Sequence, residues 1–272
     1  MKMAFSTLAC PDWTMLQIVK IASSCGYAGI ELRFVEGEDS LYKLSAFTGK
    51  GLAQTRQLLS ENQLKICCVD TSCRFHSPDA PERKKWIAEG ERMADLAAEL
   101  GSPAIRVFGD QIQPGADRES TRAWIAESID ELNRKIEPSG VAVWLETHGD
   151  FASGAETEAI LSASKSRRIG IVWDAANCWV QSGETPQQGA AGMQHAILHV
   201  HVKDLRKCGE RWVPVLNGEG TFPLEEMRLA LRNIRYDGYA SFEWEKKWHA
   251  QIPAADVALP HFARWFRENW HG

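Results

Sequence analysis

The feature that most constrains the fold is a regular alternation of short apolar runs with longer stretches of helical spacing. The apolar runs are typical of strands and occupy residues 3–8, 29–34, 64–69, 104–108, 141–146, 169–174, 197–204 and 239–243. Helical stretches follow them at residues 13–25, 51–62, 81–100, 120–136, 155–166, 186–195, 223–234 and 254–270. Such alternation predicts parallel strands, because parallel neighbours need a helical crossover between them. Eight units in 272 residues favour an α/β fold of the (β/α)8 TIM barrel type, as a single domain over residues 1–272.

The alternative to a closed barrel is an open, doubly wound sheet. That fold carries a glycine-rich turn after its first strand, and the sequence has none there. Gly218-Glu219-Gly220 lies in a loop before a helix, where it is weak evidence for any nucleotide site. In the first helical stretch, Leu16, Val19 and Ala22 are spaced for one buried face.

Composition excludes several classes of protein. Apolar residues make up 44% of the chain and eleven are Trp, which is ample for a large core. The net charge is −5 and the basic residues are scattered, which argues against a nucleic-acid partner. The seven Cys form no C-x-x-C pair, which favours a reduced, cytoplasmic protein. No signal peptide is visible and no stretch approaches the ~20 apolar residues of a membrane span, so we expect no membrane association.

Four strands in succession end near a carboxylate or an imidazole. These groups belong to Glu146, Asp174, His201 and Glu243. In a barrel of parallel strands, the carboxyl ends of all strands meet at one face, where active sites lie. The period of two along each strand then allows all four side chains to point into the barrel mouth together.

Converging acidic groups repel one another unless a cation lies between them. Three carboxylates and one imidazole offer mostly hard oxygen ligands, which favour one divalent ion, Mn²⁺ or Mg²⁺, with Co²⁺, Zn²⁺ or Fe²⁺ as alternatives. Each residue also has a plainer interpretation, since an acidic residue at a strand end often caps the next helix, as for Asp174 or Asp204. His199 reads as a core imidazole, and Arg106 as a buried partner of Glu31. Four independent caps on four successive strands are not expected, which favours the metal site.

The order of motifs resembles the xylose-isomerase-like TIM-barrel superfamily, the sugar phosphate isomerase/epimerase family. The motifs are W-L-E-T-H at 144–148, V-W-D-A-A-N at 172–177, H-V-H-V-K-D at 199–204, F-E-W-E at 242–245 and G-Y-A-G-I-E-L at 26–32. The resemblance spans nearly the whole chain and is specific for the fold and the metal site, but not for the substrate.

The resemblance implies a role for each of the four residues. In the ketose epimerases of this superfamily, the residues matching Glu146, Asp174, His201 and Glu243 bind the metal, and the two glutamates also move protons on opposite faces of the substrate. Members with two or three metal ions carry a His three residues after the aspartate, where this chain has Asn177. The departure predicts a single ion.

The function expected from these residues is a metal-dependent sugar isomerase or epimerase. Glu146 or Glu243 would remove a proton next to a carbonyl, a metal-bound enediolate would form, and the partner carboxylate would return a proton. We also expect five residues to bind the substrate. His148, Lys203 and Asn177 would contact it through polar groups, and Trp248 and His249 would close over the sugar.

Three other functions stay open at this point. A lyase or dehydratase on a keto sugar or inosose would use the same site and the same first step. A non-catalytic subunit and an AP endonuclease rank lower, since all four candidate ligands are present and His76 is the only extra histidine before the fourth strand. The expected partner is a small sugar or polyol, and barrels of this group often pair, so a homo-oligomer is a further expectation.

Overall fold

The central element is a closed barrel of parallel strands, seen in a computed structural model that describes residues 1–270. Ten strands lie in this part of the chain: β1 (Lys2–Ser6), β2 (Gly29–Leu32), β3 (Lys65–Arg74), β4 (Ala104–Phe108), β5 (Ala142–Glu146), β6 (Ile169–Asp174), β7 (Ile197–Val202), β8 (Asp204–Cys208), β9 (Arg211–Val215) and β10 (Tyr239–Phe242). The barrel uses β1 to β7 in sequence order and is completed by β10, which pairs with both β7 and β1. The predicted TIM barrel is therefore confirmed. Residues 271 and 272 of the predicted domain lie outside the described residues.

Helices surround the barrel. Those of residues 1–270 are α1 (Met15–Cys25), α2 (Gly49–Glu61), α3 (Ala80–Glu99), α4 (Arg118–Lys135), α5 (Gly154–Ala163), α6 (Ala175–Ser182), α7 (Pro186–Met193), α8 (Leu224–Asn233) and α9 (Ala255–Asn269). The main apolar core lies between the strands and these helices. A smaller group, Cys68, Ala104, Trp144 and Val172, packs apart from it. Strand alternation places this group inside the barrel, below the mouth.

Two segments differ from the sequence-based expectation. Residues 205–215 were expected as part of a loop, but together with Asp204 they form the antiparallel hairpin β8–β9, in which Asp204 opposes Val215. Helix α6 was not expected, because it begins directly after Asp174 with no loop between strand and helix. The hairpin and α6 contact each other through Trp212 and Trp179, whose rings lie 4.6 Å apart.

The buried face of α1 was also assigned wrongly in part. Leu16 is 64% exposed, whereas Met15, Ile18, Val19 and Ala22 are buried. Both Met15 and Leu16 fit a helical apolar stripe, so the pattern alone did not place the boundary of the buried face. The structure places Leu16 on the solvent side.

Asp204 anchors the hairpin to the loop that follows it. Its Oδ2 accepts hydrogen bonds of 2.9 Å from the backbone N–H groups of Gly218 and Gly220, and its Oδ1 accepts one from Leu205. The carboxylate therefore satisfies three backbone donors of the hairpin and the following loop. The helix-capping interpretation of Asp204 was wrong, because Asp204 begins β8 and accepts from a strand and a loop instead of a helix N-terminus.

Replacing Asp204 with Ala is expected to lower the free energy of unfolding by about 1–3 kcal/mol, because the backbone donors lose their acceptor. The Asp204→Asn control keeps one side-chain oxygen and should lose less. Urea unfolding followed by circular dichroism measures the difference as a shift of the midpoint. An alanine variant as stable as the asparagine variant would contradict the anchoring role.

All seven cysteines are free thiols in the structure. Within residues 1–270, none of the helices has both the length and the apolar character needed to cross a membrane.

Candidate functional site

The four predicted ligands meet at the mouth of the barrel. Glu146 and Asp174 are the last residues of β5 and β6, His201 lies near the end of β7, and Glu243 follows β10 directly. All four are buried, and each offers one donor atom within 4.8 Å of the donors of the other three. We refer to these four residues as the carboxylate–imidazole cluster.

His201 lies centrally in the cluster. Its Nδ1 is 3.3 Å from Glu243 Oε1, 3.6 Å from Glu146 Oε1 and 3.7 Å from Asp174 Oδ2. This nitrogen has no hydrogen-bond partner among residues 1–270. A buried imidazole nitrogen without a hydrogen-bond partner, facing three carboxylates, has the arrangement of a metal ligand.

The two carboxylate oxygens of Asp174 make different contacts. Its Oδ1 accepts a 2.9 Å hydrogen bond from the backbone N–H of Asn177 and so caps the N-terminus of α6. Its Oδ2 faces the cluster. The capping interpretation and the ligand interpretation of this residue are therefore compatible, because each uses a different oxygen.

Lys203 places an ammonium group beside the cluster. Its Nζ lies 2.9 Å from Asp174 Oδ2, 2.8 Å from Glu243 Oε2 and 2.6 Å from Glu245 Oε1. Burial alone would lower the pKa of Lys203, but these three carboxylates raise it well above its ordinary value. The lysine is therefore charged and offsets part of the negative charge of the cluster.

Arg106 supports the cluster from within the barrel. Its Nε lies 3.1 Å from Glu146 Oε2, its Nη2 lies 3.0 Å from Asp70 Oδ2, and its Nη1 donates to the carbonyl of Thr71. The expected partner, Glu31, instead contacts His199 and His201 at 2.7 Å each. The expected pair was wrong because Arg106 lies beside Asp70 in the register of β3 with β4.

The two glutamates of the cluster differ in their electrostatic setting. Burial raises the pKa of Glu243 to about 7, although His201 and Lys203 act in the opposite direction. Burial acts on Glu146 too, but Arg106 and His201 outweigh it and hold the pKa of Glu146 below its ordinary value. Proton affinity is thus higher on the β10 side of the mouth than on the β5 side.

The five residues expected to bind substrate lie around the cluster. His148 Nδ1 is 3.4 Å from Asp110 Oδ1, and Asn177 donates to the Thr147 carbonyl at 3.2 Å and to Glu146 Oε1 at 3.4 Å. His249 Nε2 lies 3.2 Å from Glu245 Oε2.

Trp248 forms the outer part of the mouth. It is 58% exposed, and its ring meets that of Phe34 edge to face, with the centroids 5.8 Å apart. Lys203 lies directly beside the cluster, in contact with two of its carboxylates.

Sequence reasoning missed four buried or half-buried residues around the cluster. These are Glu31, Asp70, Arg106 in its observed pairing, and Glu245. The sequence did indicate Glu245, because in an extended segment it lies on the same face as Glu243, two residues earlier. For Glu31 and Asp70 the sequence carries no signal, because their partners lie on other strands.

The donor set fits one divalent cation. Three carboxylates with one imidazole supply hard oxygen ligands and one nitrogen of borderline softness, and the free Nδ1 of His201 points at the three oxygens. The positive charges of Lys203 and Arg106 offset the negative charges of Asp174 and Glu146, respectively. Neither cation contacts His201 Nδ1, which stays unpaired within residues 1–270.

Known proteins share this architecture. A probable 3-DHS dehydratase from Bacillus anthracis is 20% identical and has a TM-score of 0.81, covering 100% of both chains. A 3-keto-D-glucoside 4-epimerase from E. coli is 17% identical, with a TM-score of 0.78 over 98% of this chain and 99% of the other. The IOLI protein, solved with a zinc atom, is 17% identical, with a TM-score of 0.80 over 99% and 98%. At this level of identity the likenesses show the fold.

A search of curated protein sequences finds no match to this chain. The family is shown by a sequence profile. The profile described as xylose isomerase-like TIM barrel matches residues 19–268, which include the whole carboxylate–imidazole cluster. The chain therefore belongs to the xylose isomerase-like TIM barrel family.

Proposed function

We propose that this protein is a divalent-metal-dependent isomerase or epimerase that acts on a small sugar or polyol derivative. The observation that carries the proposal is the convergence of Glu146, Asp174, Glu243 and the unpaired Nδ1 of His201 on one point of the barrel mouth. Membership of the family supports it, as does the similarity to a solved 3-keto-D-glucoside 4-epimerase.

The four residues of the cluster would hold the ion. Mn²⁺ or Mg²⁺ suits the oxygen-rich donor set, and Co²⁺, Zn²⁺ or Fe²⁺ are alternatives, of which zinc is present in the structure of the IOLI protein. When bound, the ion supplies Lewis acidity that makes the C–H bond next to a substrate carbonyl more acidic.

Glu146 and Glu243 would move the proton. They occupy the two ends of the row β5, β6, β7 and β10, with Asp174 and His201 between them. A substrate lying across this row would have one carboxylate on each side. One glutamate would then accept the carbon-bound proton and the other would return a proton from the opposite side.

The other polar groups would hold the substrate. The Lys203 ammonium would stabilise negative charge on a substrate oxygen, and His148 and Asn177 would hydrogen-bond hydroxyl groups. Trp248 and His249, which follow Glu243 in the chain, would cover the sugar and exclude water. Phe34, which follows β2, packs edge to face against Trp248.

A lyase or dehydratase is the second candidate, favoured by the similarity to the probable 3-DHS dehydratase. Its first step is the same proton abstraction next to a carbonyl. The two functions differ in the fate of the product, since a dehydratase releases water and an isomerase does not. Mass spectrometry of the products distinguishes them.

Removal of the metal is the direct test. We expect protein treated with a chelator to lose turnover on its responsive substrate, and added Mn²⁺ to restore it, because the proton to be removed is not acidic enough without the ion. The substrate is found with a panel of ketoses, inososes and 3-keto sugars, with NMR of the products. Full turnover by metal-free protein, checked by elemental analysis, would overturn the metal-dependent mechanism.

A further inference from the structure

Behind the cluster lies a buried carboxylate that contacts two imidazoles. Glu31 Oε1 is 2.7 Å from His201 Nε2, and Glu31 Oε2 is 2.7 Å from His199 Nε2. The exposed fraction is 0% for Glu31, 0% for His199 and 1% for His201. Glu31 comes from β2, on the far side of the barrel interior from β7, so the contacts are a product of the tertiary fold.

These contacts decide which nitrogen of His201 carries hydrogen. A carboxylate accepts hydrogen bonds and does not donate, so an imidazole nitrogen 2.7 Å from it must be the donor. With hydrogen on Nε2, the neutral His201 ring has its lone pair on Nδ1. That nitrogen faces Glu146, Asp174 and Glu243.

We propose that Glu31 is a positioning residue for metal binding, which holds His201 in the tautomer and orientation that direct Nδ1 at the ion. The inference rests on the metal-dependent function proposed above. Glu31 contacts none of the three carboxylates of the cluster by hydrogen bond or ion pair among residues 1–270 and acts through His201. Hydrogen bonding to the carboxylate also makes the imidazole a better electron donor.

His199 has a different part in this arrangement. Its Nε2 lies 2.7 Å from Glu31 Oε2. Its ring packs against that of Trp144, with the centroids 5.9 Å apart and the planes at 22°. It lies one step deeper than His201 and is not part of the cluster. His199 therefore serves as the matched control, because its removal leaves the Glu31–His201 contact in place.

The test compares Glu31→Gln with His199→Phe. Glutamine keeps the shape of Glu31 but is uncharged and has a single acceptor oxygen, so at most one imidazole keeps an acceptor and neither keeps a carboxylate. Protein freed of metal is titrated with Co²⁺, and the visible absorption of the bound ion reports its affinity. We expect Glu31→Gln to bind Co²⁺ about 10–100-fold more weakly than the wild type, and His199→Phe to stay close to it.

A second readout does not depend on affinity. In zinc-loaded wild-type protein labelled with ¹⁵N-histidine, NMR should place the hydrogen of His201 on Nε2. If Glu31→Gln does not fold, Glu31→Asp takes its place; it keeps the charge but is one methylene shorter, and it should also weaken Co²⁺ binding.

The outcomes separate the two proposals. Equal Co²⁺ affinity of the wild type and the Glu31 variant, or hydrogen on Nδ1 of His201, would overturn the role of Glu31 and leave the metal-dependent function standing. An equal loss in His199→Phe would also overturn it, because the effect would then come from disturbed packing. Wild-type protein that binds no Co²⁺, Zn²⁺ or Mn²⁺ would overturn the proposed function itself.

Discussion

The Glu243→Gln variant is expected to lose turnover by about 10²–10⁴-fold while it still binds a divalent ion. Glutamine has nearly the same shape and retains an oxygen that can contact a metal, but it cannot accept the carbon-bound proton. Glu243 also has the higher proton affinity of the two glutamates, with a pKa raised to about 7 by burial. Its replacement would therefore remove one of the two proposed proton-transfer groups and spare most of the site.

The measurement has two parts, turnover on the responsive substrate and Co²⁺ affinity by titration. Glu99→Gln is the matched control, because the Glu99 side chain is 57% exposed and, within residues 1–270, its ion pair is with Arg56 at the surface. It should behave as the wild type in both measurements. Unchanged turnover in Glu243→Gln would remove Glu243 from the mechanism, and a complete loss of Co²⁺ binding would assign it to metal binding alone.

The Arg106→Met variant is expected to lower the free energy of unfolding by about 3–5 kcal/mol in metal-free protein. The Arg106 side chain is 2% exposed and contacts the carboxylates of Asp70 and Glu146, whose side chains are 0% and 2% exposed. Methionine fills much of the space but leaves Glu146 without its counter-charge, and it removes the guanidinium partner of Asp70, whose pKa burial and Glu31 already raise well above its ordinary value. Uncompensated buried charge costs far more than the ion pair itself contributes.

Urea unfolding of Arg106→Met and of Arg56→Met tests this expectation. Arg56 also pairs with a glutamate, but its side chain is 59% exposed, so its replacement should cost about 1 kcal/mol or less. Similar losses in the two variants would mean that Arg106 does not compensate the buried carboxylates. Added metal should reduce the difference in unfolding free energy between Arg106→Met and the wild type, because a bound ion neutralises part of the negative charge that Arg106 offsets.

The barrel itself could be predicted from the sequence, because its strands and helices alternate with clear periodicity. The positions of Glu146, Asp174, His201 and Glu243 followed from one rule, that the carboxyl ends of parallel strands meet at one face. Their convergence is what the structure shows, and their role as metal ligands stays a proposal. The interpretation of His199 as a core imidazole bonded to a neighbour agrees with its contact to Glu31.

The sequence could not show which side chains on different strands contact each other. The partner of Arg106 was wrong because the choice between Glu31 and Asp70 depends on which residues of neighbouring strands lie at the same level. The hairpin of residues 204–215 was missed because both strands are short, the first is mostly polar and the second contains Pro214. Helix α6 was missed because Asp174 ends a strand and caps a helix at once.

The pairing of β1 with β10 joins the first strand of the chain to the last, through the register Lys2↔Tyr239 to Phe5↔Phe242. Glu243 follows this seam directly, whereas the other three cluster residues lie on earlier strands. During synthesis, the chain therefore completes Glu146, Asp174 and His201 well before the strand that brings Glu243 to them. Assembly of the full cluster therefore waits for β10, which pairs with β7 on one side and closes the barrel against β1 on the other.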